Sequence, residues 1–197
     1  MRVAVSGSHS VGKSTLVAAF LSHHPEYAHE PEAFEVLADD VELAESGAPT
    51  PDGLRLLLNY TLAALDSRAA QARVMFERSP VDYLAYAAAS ARSWQADESQ
   101  EFLRSQRPIV REAMRHLDLV AYVPLPAHGA IRRRGENTSF RRRVDACLRR
   151  ALLDDRYELF ADGRPPRVVA LPPAPEKQLG ELSRLVRTLD TRSRPAE

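Results

Sequence analysis

The feature that most constrains this chain is a glycine-framed loop near its amino terminus, GSHSVGKS at residues 7–14. The residues before it, Arg2–Ser6, are a short apolar run rich in β-branched side chains, which predicts a buried strand. After the loop, apolar side chains recur at helical spacing from Lys13 to about Ser22. A strand, a glycine turn and a helix in this order predict the opening unit of a parallel α/β sheet.

The G-x-x-x-x-G-K-S spacing is typical of a phosphate-binding loop. Glycines let the backbone curl so that its N–H groups and the positive end of the following helix face phosphate oxygens. Lys13 would neutralise the outer phosphates, Ser14 would offer its hydroxyl to Mg²⁺, and Thr15 is placed for a nearby phosphate oxygen. Lysine at this position is informative, because the chain has 27 basic residues and only Lys13 and Lys177 are lysines. We therefore predict ATP and Mg²⁺ as cofactors, held by Gly7, Ser8, His9, Ser10, Val11, Gly12, Lys13, Ser14 and Thr15.

The rest of the chain alternates between strand and helix patterns and has no hairpin signals. Strands are predicted at 27–30, 73–76, 117–125 and 167–171, and helices at 33–45, 52–72, from Pro80 onward, 98–116 with Pro108 kinking or dividing it, 139–160 and 176–189. The predicted fold class is α/β, a P-loop NTPase three-layer sandwich: a five-stranded parallel sheet with helices on both faces and an arginine-rich lid.

Composition favours a single domain and excludes some classes of partner. With 197 residues, 44% of them hydrophobic, we expect a single domain over 1–190, a lid at about 127–145 and a flexible tail at 191–197. The 27 basic and 27 acidic residues balance, so neither nucleic acid nor a membrane is expected as a partner. The single cysteine, Cys147, and the lack of a signal-peptide pattern or a membrane-length apolar stretch predict a cytoplasmic protein. A homodimer stays open.

The absence of certain motifs reduces the number of nucleotide-using protein classes to which this chain could belong. A GTPase would need an Asn-Lys-x-Asp guanine reader and a D-x-x-G switch, and neither string occurs. A ring-forming AAA-type ATPase would need an apolar run ending in Asp-Glu and a helical lid domain, which this length barely accommodates. Phosphotransferases remain, and these need a carboxylate at the acceptor hydroxyl, an acidic group near Mg²⁺ and arginines around the transferred phosphoryl group.

Three stretches supply one candidate for each of these groups. They are His29-Glu-Pro-Glu32 after the second strand, Glu77-Arg-Ser-Pro80 after the third, and the arginines at 132–134 and 141–143 after the fourth. Because the carboxyl ends of parallel strands share one edge of the sheet, we expect all three stretches to lie beside the loop.

In type, order and approximate spacing, these stretches resemble the deoxynucleoside kinases. GSHSVGKSTL and RSPVDYLAY also resemble small P-loop kinase-like proteins related to the nicotinamide riboside kinase domain, many of which carry a generic ATP-binding or AAA-type ATPase label. The resemblance extends from Arg2 to roughly Phe160. It implies an ATP-dependent kinase that phosphorylates a hydroxyl of a nucleoside-like small molecule.

The resemblance also implies roles for individual residues. Glu30 would be the general base, Glu77 would lie near Mg²⁺ through water, and Arg78 would clamp the acceptor. Arg134 would act on the phosphates as a catalytic residue and Arg132 would bind the nucleotide, with Arg141 as a further candidate. Glu32 or Asp39 could hold the role of base instead. The other functional readings are a nucleotide switch or ATPase that acts with a protein partner, and an antibiotic or secondary-metabolite phosphotransferase.

Overall fold

A computed structural model of the chain describes residues 1–41, 49–126, 137–160 and 163–193. Its five strands are β1 (Arg2–Ser6), β2 (Ala28–Glu30), β3 (Val74–Glu77), β4 (Leu119–Tyr122) and β5 (Arg167–Ala170). All neighbouring pairs are parallel, in the spatial order β2-β3-β1-β4-β5. The predicted five-stranded parallel sheet is confirmed.

Helices cover both faces of this sheet, because alternate strand residues point to opposite sides. The helices are α1 (Lys13–His23), α2 (Ala33–Val36), α3 (Pro51–Ser67), α4 (Pro80–Ser90), α5 (Ala96–Met114), α6 (Thr138–Leu152) and α7 (Pro175–Ser193). Val3, Val5 and Met75 belong to a core built with α1 and α7. Ala4 and Phe76 point the other way, into a larger core built with α3, α4, α5 and α6.

Most predicted helices are present, and several end at other residues than expected. The helix expected at 33–45 ends at Val36. A tight turn follows, in which the carbonyl oxygen of Leu37 accepts hydrogen bonds from the amides of Asp40 and Val41. The helix expected to reach Phe160 ends at Leu152, and Asp155 then accepts from the amides of Leu159 and Phe160. Helix α3 ends at Ser67 rather than Ala72.

Helices α5 and α7 also depart from expectation. Pro108 lies inside α5, which continues through it as one helix from Ala96 to Met114. Helix α7 extends to Ser193, into the stretch expected to be a tail, while residues 194–197 lie outside the described part of the chain.

The carboxyl ends of β1, β2 and β3 lie at one edge of the sheet, where they position the candidate site. The loop leaves β1, His29 and Glu30 close β2, and Glu77 closes β3. Helix α4 begins directly after β3 with Pro80 at its first position, and Ser79 and Asp82 form a capping box there. Within the described ranges, no helix combines the length and apolar character that a membrane crossing requires.

Candidate nucleotide-binding site

The loop at residues 7–14 joins β1 to α1, and its two glycines are needed for different reasons. Gly12 has a φ of 97°, in the left-handed region, and an added Cβ would meet nothing within 4 Å. A Cβ on Gly7 would lie 2.8 Å from the carbonyl oxygen of Val123 and 3.0 Å from Cγ2 of Val11. Ser10 is also left-handed, with a φ of 57°. The backbone therefore curls as a phosphate-binding loop requires.

Lys13 opens α1 and turns back over the loop. Its side chain is 4% exposed, and Nζ donates to the carbonyl oxygen of Ser8 at 3.2 Å. Nζ also lies 3.8 Å from Oε2 of Glu32. Burial, with the nearby Arg78 charge adding to it, lowers the pKa of Lys13 to about 8. The ammonium is thus buried at the loop and only weakly compensated.

Arg78 follows β3 and is bound on all sides. Its Nε donates to Oε1 of Glu32 at 2.5 Å, and one terminal nitrogen donates to the carbonyl oxygen of Gly7 at 3.0 Å and to Oδ1 of Asp82 at 3.1 Å. The other terminal nitrogen donates to the Tyr86 hydroxyl at 3.2 Å. Burial opposes the charge, but Glu32, Tyr86 and Asp82 outweigh it and raise the pKa of Arg78.

The backbone of Arg78 has a φ of 90°, a costly conformation for a residue with a side chain. The four hydrogen bonds of the guanidinium offset that cost. Arg78 therefore fastens the loop to β3 and α4, in addition to any contact it makes with an acceptor.

Glu32 lies between the two cations of the site. Burial alone would raise the pKa of its carboxyl, but the charges of Arg78 and Lys13 outweigh burial and lower it. Glu32 is therefore an ionised carboxylate at neutral pH, placed beside the lysine of the loop. Asp39, the other alternative base, is exposed to solvent.

Glu30, the predicted base, lies in a second cluster at the edge of the sheet. Its Oε2 accepts from Nε of Arg68 at 3.1 Å and its Oε1 accepts from the Tyr60 hydroxyl at 3.3 Å. This group opens onto a cleft of about 550 Å³, lined by Glu30, Tyr60, Ala63, Ala64, Ser67, Arg68 and Gln71. Lys13 and Arg78 are not among the lining residues.

Glu77, the predicted magnesium residue, is buried at the end of β3. Its Oε1 is 2.9 Å from Nε2 of His29, while its Oε2 is buried and has no hydrogen-bond partner among the described residues. Ser14 lies exposed in the first turn of α1. An orphaned carboxylate oxygen and a hydroxyl are the hard oxygen ligands that Mg²⁺ takes when it arrives with a nucleotide, so these residues fit the ion.

A cluster of three or more histidine, cysteine or carboxylate side chains that could hold a metal without a nucleotide is absent from the described part of the chain. A metal at this edge would thus depend on phosphate oxygens as well as on Ser14 and Glu77, as Mg²⁺ commonly does.

Most of the predicted lid lies outside the described residues. Arg132, Arg133 and Arg134 lie in 127–136, outside the described residues. Arg141, in the first turns of α6, is 2% exposed. It is therefore part of the packed body of the protein in this structure.

Sequence reasoning missed that two residues of α4 contact the loop. Asp82 accepts from the amide of Gly7 at 3.2 Å, and the Tyr86 hydroxyl accepts from the amide of His9 at 3.1 Å. Both lie on the face of α4 that Arg78 reaches, four and eight residues after it. That spacing was the available signal, but it does not reveal that the loop packs against this face.

Comparison with known proteins gives the family of this chain. The family model described as an AAA domain matches residues 2–165, and the chain belongs to that family. No curated protein matches the sequence.

Solved structures are similar in fold. Deoxyadenosine kinase from M. mycoides with bound dATP has a TM-score of 0.68 at 16% identity, over 95% of this chain and 100% of that one. The NadR protein in complex with NR has a TM-score of 0.68 at 19% identity, over 94% of this chain and 50% of that one. Thymidylate kinase from Candida albicans has a TM-score of 0.58 at 13% identity, over 99% of this chain and 94% of that one. At these identities the likeness is one of fold: the chain has a P-loop kinase fold.

Proposed function

We propose that this protein is an ATP-dependent kinase that transfers the terminal phosphoryl group to a hydroxyl of a small, nucleoside-like molecule. The observation that carries the proposal is the position of an ionised carboxylate, Glu32, between the loop lysine and Arg78. A hydrolytic switch needs no carboxylate that is shared between a phosphate-reading lysine and an arginine at the strand ends. A kinase needs one to receive the proton of the acceptor.

In the proposed reaction, the acceptor oxygen attacks the terminal phosphorus while its proton passes to a carboxylate. The new O–P bond forms as the bond from that phosphorus to the bridging oxygen of ADP breaks. Lys13 stabilises the charge that develops on the phosphate oxygens. Mg²⁺, bound with the nucleotide and approached by Ser14 and Glu77, would neutralise phosphate charge. The arginines at 132–134 would close over the phosphates.

Two glutamates compete for the role of proton acceptor. Sequence resemblance assigns it to Glu30, and that assignment stays a prediction. The geometry favours Glu32, because its Oε2 is 3.8 Å from the Lys13 ammonium while its Oε1 accepts from Arg78. The two oxygens of Glu30 accept instead from Arg68 and Tyr60, at the cleft. We propose Glu32 as the base and Glu30 as a group of the acceptor cleft.

The experiment that tests the function incubates the protein with labelled ATP and Mg²⁺ and a panel of nucleosides, sugars and antibiotics carrying hydroxyls. A labelled nucleoside supports the proposal, and a labelled antibiotic moves the protein to that class of phosphotransferase. Release of inorganic phosphate that rises only with a protein partner would overturn the kinase in favour of a nucleotide switch.

The matched variants are the two lysines of the chain. Lys13→Ala should reduce transfer about 10³-fold, because it removes a charge aimed at the developing phosphoryl charge. Lys177→Ala removes an exposed lysine on α7 and should leave transfer unchanged. Equal activity of the two variants would contradict the assignment of the loop.

A further inference from the structure

The hydroxyl of Tyr86, on α4, makes three hydrogen bonds that join the phosphate-binding loop to Arg78. The amide of His9 donates to it at 3.1 Å and a terminal nitrogen of Arg78 donates to it at 3.2 Å. The third contact, at 3.2 Å, is with Nδ1 of the His9 ring. Tyr86 is therefore bound to the middle of the loop through both the backbone and the side chain of His9.

The direction of the third bond follows from a count of protons. An amide and a guanidinium are donors only, so they use both acceptor sites of the Tyr86 oxygen. The hydroxyl must then donate its own proton to Nδ1 of His9, which is consequently the unprotonated nitrogen of the ring. Burial raises the pKa of Tyr86 to about 12, so the hydroxyl keeps this proton throughout the neutral range.

Ring contacts hold the same cluster from the other side. The His9 ring is stacked near Phe140 of α6, with centroids 6.2 Å apart and planes inclined by 24°. Phe140 also meets the Tyr86 ring edge to face, with centroids 6.0 Å apart. The His9 ring thus lies near both the Tyr86 ring and a ring in the first turn of α6.

We propose that Tyr86 is a positioning residue that holds the loop backbone at His9 in its phosphate-binding shape before any nucleotide arrives. The inference rests on the proposed use of the loop for a nucleotide, but it concerns the loop itself and not the acceptor. Its physical basis is preorganisation: N–H groups that already converge lose less freedom when a phosphate binds. Without the hydroxyl, the loop loses the hydrogen bond that the His9 amide donates to Tyr86, and it has more conformations to give up on binding.

The chain provides a matched control on the same helix. Tyr83 is also buried in α4, and its hydroxyl shares a hydrogen bond of 2.7 Å with the Thr61 hydroxyl of α3 rather than with the loop. Tyr86→Phe and Tyr83→Phe therefore make the same chemical change on one helix, and each removes a buried hydroxyl that has partners. Only the first change removes a contact to the loop.

The first measurement is hydrogen exchange of the His9 amide in the nucleotide-free protein. Tyr86→Phe should speed this exchange about tenfold, the loss expected when one hydrogen bond of ordinary strength is removed, and Tyr83→Phe should leave it as in the unmodified protein. The second measurement is the Kd for ATP by calorimetry, with Mg²⁺ and without it. Tyr86→Phe should raise Kd about tenfold in both conditions, and Tyr83→Phe should change it less than twofold.

Unchanged exchange at His9 in Tyr86→Phe would overturn the proposal, and so would equal effects of the two variants on exchange and on Kd. Failure of the kinase proposal looks different: the unmodified protein would bind ATP with the expected dependence on Tyr86 and phosphorylate no acceptor. Hydrogen exchange needs no nucleotide, so it decides the positioning role even for a protein that bound none.

Discussion

Glu30 and Glu32 are two residues apart at the end of one strand, yet they belong to different parts of the molecule. Both side chains are largely buried, with 10% and 16% of their surface exposed. Glu30 is bound by Tyr60 of α3 and by Arg68, which directly follows that helix, and it faces an open cleft. Glu32 is bound by Lys13 of the loop and by Arg78, which follows β3. Burial therefore does not separate their roles, and the identity of the neighbouring cations does.

The sharpest way to break this comparison is to neutralise each carboxylate in turn. Glu32→Gln should lower kcat about 10²-fold or more, because it removes the proposed proton acceptor while keeping the shape of the side chain. Glu30→Gln should lower kcat less than tenfold and act mainly on KM for the acceptor. Steady-state kinetics on both variants decides the matter, and the opposite order of effects would return the role of base to Glu30.

The charge of Lys13 gives a second prediction, with an effect of about tenfold. Because the pKa of Lys13 is lowered to about 8, the ammonium is half neutralised near pH 8 and mostly neutral by pH 9 in the nucleotide-free protein. A triphosphate favours the charged form, so Kd for the nucleotide should rise about tenfold from pH 7 to pH 9, and binding should take up protons in that window. Calorimetry in buffers of different ionisation enthalpy measures this uptake.

Variants of the two glutamates sharpen the same measurement. Glu32→Gln removes a charge that raises the pKa of Lys13, so the rise in Kd should begin at a lower pH. Glu30→Gln should leave the profile in place, and Lys13→Ala should abolish the proton uptake. A profile that moves with Glu30 and not with Glu32 would contradict the division between the clusters.

The smallest effect is expected at the edge of the cleft. Tyr60→Phe removes one hydroxyl that donates to Glu30 from a partly exposed position, so it should raise KM for the acceptor about threefold and leave KM for ATP as it was. Separate titration of the two substrates checks this. A change confined to KM for ATP would place Tyr60 with the loop and merge the two clusters.

The fold could be predicted from the sequence because the signals for its strands and for the loop come from residues that are neighbours along the chain. The apolar run before Gly7, the glycine spacing and the Ser79-Pro80 helix start all depend on neighbouring residues, and the structure contains each of them. Helix ends were less predictable. Helix α2 ends at Val36 and helix α6 ends at Leu152, because turns after these residues compete with the helical hydrogen bonds.

The inner arrangement of the site could not be predicted from the sequence. Glu32, rather than Glu30, lies near Lys13 because Arg78 binds Glu32 and Arg68 binds Glu30. The two arginines follow different elements, β3 and α3. The sequence spacing predicted that Glu30 and Glu32 lie at the same edge of the sheet. The pairing of each glutamate with its arginine depends on how the elements pack in three dimensions, which the spacing does not reveal. The contacts of Asp82 and Tyr86 with the loop were missed for the same reason.

The contrast between Gly7 and Gly12 has a consequence for how this chain can vary. Position 12 demands an unusual backbone, and asparagine, which visits that conformation more readily than other residues with a side chain, is the substitution with the lowest backbone cost there. Position 7 has no room for a side chain, since even one methyl group would clash with the carbonyl oxygen of Val123. Among functional descendants of this sequence, glycine should persist at position 7 because of the space available and at position 12 because of the backbone angle.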